Sequence, residues 1–210
     1  MLKKIILLTL LVSSSIIAEE FSGNESINYC IPDNQQIDTS TWVEYPITFK
    51  VSYNDTVTEE KIKISFPSEP TVEINEIPQS CFTMTDKEGM VYSLAAMKVP
   101  EKDFNLREQV DILAESISKS SNKNLVCRGW PVDNSNDTIQ FIHWTQGDKM
   151  TRLTLIQSGH LIYFIETSVR HEVYKDFLSI QIDTEAFDIC MHDSLKTGAF
   201  YRSFSVVEAQ

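Results

Sequence analysis

The sequence predicts one α+β domain, an antiparallel sheet of about six to seven strands flanked by helices. Three observations carry this. Apolar and polar residues alternate through most of the chain between Trp42 and Ser168, the period of strands with one buried face. One stretch breaks the alternation: Leu106, Val110, Leu113, Ala114 and Ile117 recur at steps of three and four, as on an amphipathic helix. A second such stretch carries Ala186, Phe187, Cys190 and Met191 near the end of the chain.

The elements follow in order. Met1-Leu2-Lys3-Lys4, the apolar run Ile5 to Val12 and the small-residue approach to Ala18 have the three-part layout of a secretory signal peptide over residues 1–18. Residues 19–41 are polar and aperiodic and read as a partly disordered leader. Trp42 to Tyr53 alternates as a strand, with Pro46 suggesting an edge. Together with the segment up to Glu60 it forms an additional strand and linker, 42–60. Lys61 to Phe66 is a half-buried strand stopped by Pro67 and Pro70, and Thr71 to Ile77 returns from it. Ser80 to Thr85 and Met90 to Val99 form a hairpin around Asp86-Lys87-Glu88-Gly89, where Gly89 can take positive φ.

The first helix follows, with Asp103 or Asn105 as its cap. Leu125 to Trp130, Thr138 to Gln146, Met150 to Gln157 and Leu161 to Ser168 then make a meander turned at Gly147 and Gly159. His171 to Ile182 fits either period. Asp183 or Thr184 caps the last helix, and residues 196–210 read as a C-terminal tail.

Charge and cysteine usage narrow the partners. The formal net charge is −12, and losing Lys3 and Lys4 with the signal would take it to −14. A nucleic-acid binder needs a basic footprint, so nucleic acid is not expected. Electrostatic adsorption to an anionic membrane is disfavoured as well. Cys30, Cys81, Cys127 and Cys190 are far apart, with no C-x-x-C. Two disulfides or buried free thiols both suit an exported chain with this count. Asn24, Asn54 and Asn136 open glycosylation-type triplets, read here as turn sequence because the Lys-Lys opening looks bacterial.

The order of certain motifs resembles the Mog1/PsbP-like domains. These are Phe66-Pro67-Ser68-Glu69-Pro70, the hairpin rising to Tyr92-Ser93-Leu94, and the meander strand Arg152-Leu153-Thr154-Leu155-Ile156. The turn Ser158-Gly159 then leads into Leu161-Ile162-Tyr163-Phe164-Ile165, and a late helix runs through Glu185-Ala186-Phe187-Asp188 to Asp193-Ser194-Leu195. The similarity spans 61–195 and departs at Asp193-Ser194-Leu195, where that family's helix usually ends in Ser-Phe. The resemblance implies an α/β/α sandwich serving as a binding or assembly module, with no shared catalytic residues to transfer.

Few residues suggest chemistry. Glu185, Asp188 and His192 share a helix face and could offer oxygen and imidazole ligands; the plainer reading is a helix with end-matched charges and a surface pair. Cys190 and His192 lie too close along one helix to face each other. His143 and Trp144 place one side chain on each face of a strand, which suits packing. The acidic runs Glu19-Glu20 and Glu59-Glu60 read as solvated faces. Tyr45, Phe49 and Tyr53 form a stripe with Ile47, read as core in preference to an edge offered to a partner strand.

No catalytic, cofactor-binding or metal-binding residue is therefore assigned. The expectation is an exported, non-enzymatic module, periplasmic or extracellular and bacterial, that recognises a protein partner without stable membrane insertion. Its polar leader would order on contact. The alternatives are a carrier with a closed apolar pocket for a small ligand and, third, an exported hydrolase or thiol enzyme.

Overall fold

Strands β1 (Val43–Tyr53) and β2 (Thr56–Phe66) pair antiparallel over their whole length, with Val43 opposite Phe66 and Tyr53 opposite Thr56. The structure, a computed structural model, describes residues 37–53, 56–73, 81–99, 104–129, 138–175 and 184–207. Alternation along β1 and β2 buries Ile47, Phe49, Val51, Ile62, Ile64 and Phe66 on one face. The other face is charged, and there Lys63 meets Glu44 at 3.0 Å. A third strand, β10 (Ser205–Val207), joins the far side of β2.

The second sheet has seven antiparallel strands: β3 (Thr71–Glu73), β4 (Cys81–Thr85), β5 (Val91–Lys98), β6 (Asn124–Gly129), β7 (Ile139–Gln146), β8 (Lys149–Ser158) and β9 (Leu161–Arg170). Their spatial order is β3-β4-β5-β9-β8-β7-β6. Helix α1 (Leu106–Ser118) is capped by Asn105, whose Oδ1 accepts from the Glu108 N–H at 3.1 Å. It packs Leu106, Val110, Ala114 and Ile117 against Ile142, Trp144, Leu153, Leu155 and Ile162 on one face of the sheet. The opposite face meets the three-stranded sheet and helix α2 (Thr184–Arg202) in a second, larger core. A 3₁₀ turn, Glu172–Tyr174, follows β9.

This overturns the expected fold class. An α+β sheet flanked by helices, the α/β/α sandwich, is replaced by a mainly β arrangement, with 52% strand and 25% helix among the described residues. A helix covers one face of the large sheet, but the other is covered by a second sheet with α2 beside it. The physical reason lies in β2. Glu59 and Glu60 interrupt its apolar alternation and read as a solvated run, so the strand is expected only from Lys61. Glu59 is indeed exposed, whereas Glu60 turns inward. Its Oε1 accepts the His160 N–H at 2.6 Å and its Oε2 accepts the Tyr163 O–H at 3.1 Å. The carboxylate thus ties β2 to the β8–β9 turn. Residues 196–207, set apart in sequence as part of a tail, include the last seven residues of α2 and then β10. The signal segment, the leader up to residue 36, Cys30 and most of the ambiguous stretch before α2 lie outside the described residues.

Two hairpin glycines offer a controlled comparison. Gly147 (φ +57°) and Gly159 (φ +54°) both take the left-handed conformation that tight turns require. A Cβ at Gly147 would meet nothing within 4 Å, whereas one at Gly159 would sit 2.6 Å from Glu60 Oε1. Both alanine variants bear the left-handed cost of about 1–2 kcal/mol. Only Gly159→Ala also drives Glu60 off its donors, for a total loss of about 2–4 kcal/mol. Urea unfolding of the two variants checks this; equal losses would mean that the Glu60 link contributes nothing.

Candidate functional site

A set of polar side chains converges beneath and beside α2. Strand register builds the floor: Cys127 on β6 lies opposite His143 on β7, His143 opposite Arg152 on β8, Arg152 opposite Thr167 on β9, and Thr167 opposite Tyr92 on β5. Directly opposed residues share a face, so five strands present one cross-sheet row. Helix α2 covers part of it. Arg152 Nη2 donates to Ser194 Oγ at 3.1 Å, and the Thr167 and Thr197 hydroxyls meet at 2.7 Å. The inner face of α2 carries Asp193, Lys196 and Phe200, all buried, beside Ala186 and Cys190 from the apolar set expected from sequence. Ala186 is buried, but Phe187 is 46% exposed.

The β4–β5 turn supplies one wall. Gly89, at φ +84°, lets the chain reverse, and Asp86 Oδ1 accepts the N–H groups of Glu88 and Met90, each at 2.9 Å. Asp86 Oδ2 accepts from the Tyr92 O–H at 3.1 Å and from Lys196 Nζ at 2.7 Å. Lys196 also donates to Glu88 at 2.8 Å. Burial alone would raise Asp86, but Lys196 and the two turn N–H groups outweigh it and hold the carboxyl below its ordinary range. Glu88 is lowered chiefly by its Lys196 hydrogen bond. Burial would lower Lys196, yet its two carboxylate partners raise it.

The 3₁₀ turn supplies the other wall. Tyr174 donates to Asp193 Oδ2 at 2.6 Å, and His171 Nε2 stands 3.6 Å from the same oxygen. Burial, helped by the negative charge of Asp193, outweighs the opposing Arg152 charge and holds the Tyr174 hydroxyl well above the ordinary phenol range, so it stays a donor. Between these walls runs a cleft of about 360 Å³ lined by Glu88, His171, Asp188, Ile189, His192 and Asp193.

The sequence candidates separate in this setting. Asp188 and His192 both line the cleft, but His192 faces Glu88 at 3.2 Å, and Glu185 is not among the lining residues. Among the described residues no three His, Cys, Asp or Glu side chains form a group able to hold a metal ion. Cys190 turns toward Tyr174 and the core while His192 is exposed, so the two diverge. His143 and Trp144 do take opposite faces: Trp144 packs under α1 and His143 lies against Phe141, ring centroids 5.3 Å apart. Cys81, Cys127 and Cys190 are free thiols. Two disulfides would require one bridge among those three, which excludes that option.

One pair escaped the sequence reading. Cys127 Sγ lies 3.4 Å from His143 Nδ1. Burial pushes the thiol up to about 11 despite the nearby Arg152 charge. Burial and that same charge push the imidazole down to about 3. The pair is thus a neutral thiol beside a neutral ring, unlike the thiolate–imidazolium pair that thiol enzymes use. Only the β6–β7 register could have signalled it, and a bulge between Leu125 and Cys127 shifts that register.

No helix among the described residues is long and apolar enough to cross a membrane. Neither protein-family models nor curated proteins gave a match to this chain.

Proposed function

We propose that the chain is an exported, non-catalytic binding module that recognises a protein partner along α2. The observation that carries this reading is the half-exposed Phe187 beside the acidic, histidine-bearing cleft. Met191 and Leu195, partly exposed, follow Phe187 at steps of four along the helix. An aromatic anchor beside charged, orientable groups is the composition of a protein contact. The reactive side chains nearby support a binding role: Lys196 is committed to two carboxylates and Cys127 stays protonated.

Ile112 on α1 is 40% exposed, close to Phe187 at 46%, and provides a matched control. A photoreactive benzoylphenylalanine placed at 187 in cells producing the full chain is expected to yield a discrete adduct that the same group at 112 does not. Identical adducts from both sites, or none from 187, would overturn the proposal.

A further inference from the structure

Arg152 is 7% exposed. Among the described residues its guanidinium makes one hydrogen bond, from Nη2 to Ser194 Oγ, and forms no ion pair. The Ser194 hydroxyl proton is itself donated to the Cys190 carbonyl at 2.7 Å, so Ser194 acts toward Arg152 purely as an acceptor. Asp193, the buried carboxylate on the same helix face, is engaged by Tyr174 and His171. An arginine carries five N–H donors in a rigid planar fork, and a buried charge left without acceptors is costly. The other described neighbours in the row, Cys127 and His143, are uncharged. Among the described residues, Gln140 Nε2 alone is both sealed from solvent and unbonded. The unpartnered nitrogens of Arg152 are not among the sealed atoms.

We propose that this guanidinium is the anchor of a carboxylate-binding site between β8 and α2, taking the carboxylate of a small organic acid or of a peptide C-terminus. Two coplanar oxygens match the free edge of the fork bidentately. The single negative charge also suits a site where Asp193 stands close by, which disfavours a dianion. The position of Ser194 fixes the rotation of the guanidinium, so its free donors are held ready before a ligand arrives.

The test is thermal unfolding of the purified full chain at constant ionic strength. Sodium acetate, a short N-acetylated peptide acid and the C-terminal amide of that peptide are each titrated against a chloride background. A saturable rise in Tm of about 2–4 °C is expected at about five times Kd, with the amide silent. A rise with acetate as well as the peptide acid identifies small acids as sufficient; a rise with the peptide acid alone identifies a chain terminus. Arg152→Met should abolish either response. The Nε–H magnetic resonance signal of Arg152 in the unmodified protein gives a readout free of folding defects, and it should shift along the same titration. No saturable response in either readout, or an amide as effective as the acid, would overturn the proposal.

Discussion

Phe200→Ala is expected to cost about 3–5 kcal/mol of unfolding free energy, the range for emptying a fully buried aromatic site. Phe200 is wholly buried on the inner face of α2. Its ring centroid lies 5.1 Å from that of Phe66 on β2 and 5.2 Å from that of Tyr92 on β5. One ring therefore joins the helix, the small sheet and the large sheet. Trp42 extends the cluster by an edge contact on Tyr92 at 5.7 Å, and Tyr45 does so on Phe66 at 6.0 Å. Truncation removes two aromatic contacts and leaves a void that three separate elements would have to move to close. Phe187→Ala, on the same helix but half exposed, should cost well under about 1 kcal/mol. Urea midpoints measured at unchanged slope compare the two. Equal costs would mean that the C-terminal half of α2 is not docked against the sheets.

This comparison also shows where the sequence is readable. The α1 face could be read because its buried positions are apolar at every step, from Leu106 to Ile117. The hairpins at Gly89, Gly147 and Gly159 were readable from single glycines with a conformational reason to be there. The start of α2 was legible, but its end was not, and its inner face only in part: Ala186 is buried and Cys190 packs on the core, whereas Phe187 is exposed. The helix buries Asp193 and Lys196 against partners far away in sequence, and the apolar period does not register such residues. The same failure hid Glu60, a carboxylate whose acceptors are matched to the β8–β9 turn. Sequence periodicity reports burial by hydrophobic transfer; burial by hydrogen-bond satisfaction leaves no periodic trace. The candidate site is built almost wholly from the second kind of residue. Cys127 and His143 meet only through strand register, and Asp86 meets Lys196 only once α2 has docked.

Lys196→Met should have the second large effect, and its size should depend on pH. The Lys196 side chain is 10% exposed and that of Asp86 12%, so removing the cation strands a carboxylate with little water around it. Breaking such a pair costs about 3–5 kcal/mol when fully buried; the residual exposure here brings the expectation nearer to about 2–4 kcal/mol. Glu88, 60% exposed, contributes little to that total. Adding Asp86→Asn should recover much of the loss, since the amide oxygen can still accept the Glu88 and Met90 N–H groups without a charge to strand. The folded-state values of Asp86 and Glu88 are depressed, so their stabilising contribution is present above the ordinary carboxylate range and disappears as pH falls through their folded values. Lys196 is raised, so its share persists below the ordinary lysine value and is lost only in strong alkali. The gap between wild type and Lys196→Met should therefore be full at pH 6 and narrow towards about pH 3, as the carboxylates protonate and wild type loses the partners of its buried ammonium. Urea unfolding of both proteins at these two pH values decides it. A gap that does not change with pH would show that the methionine variant suffers from lost packing and not from a stranded charge.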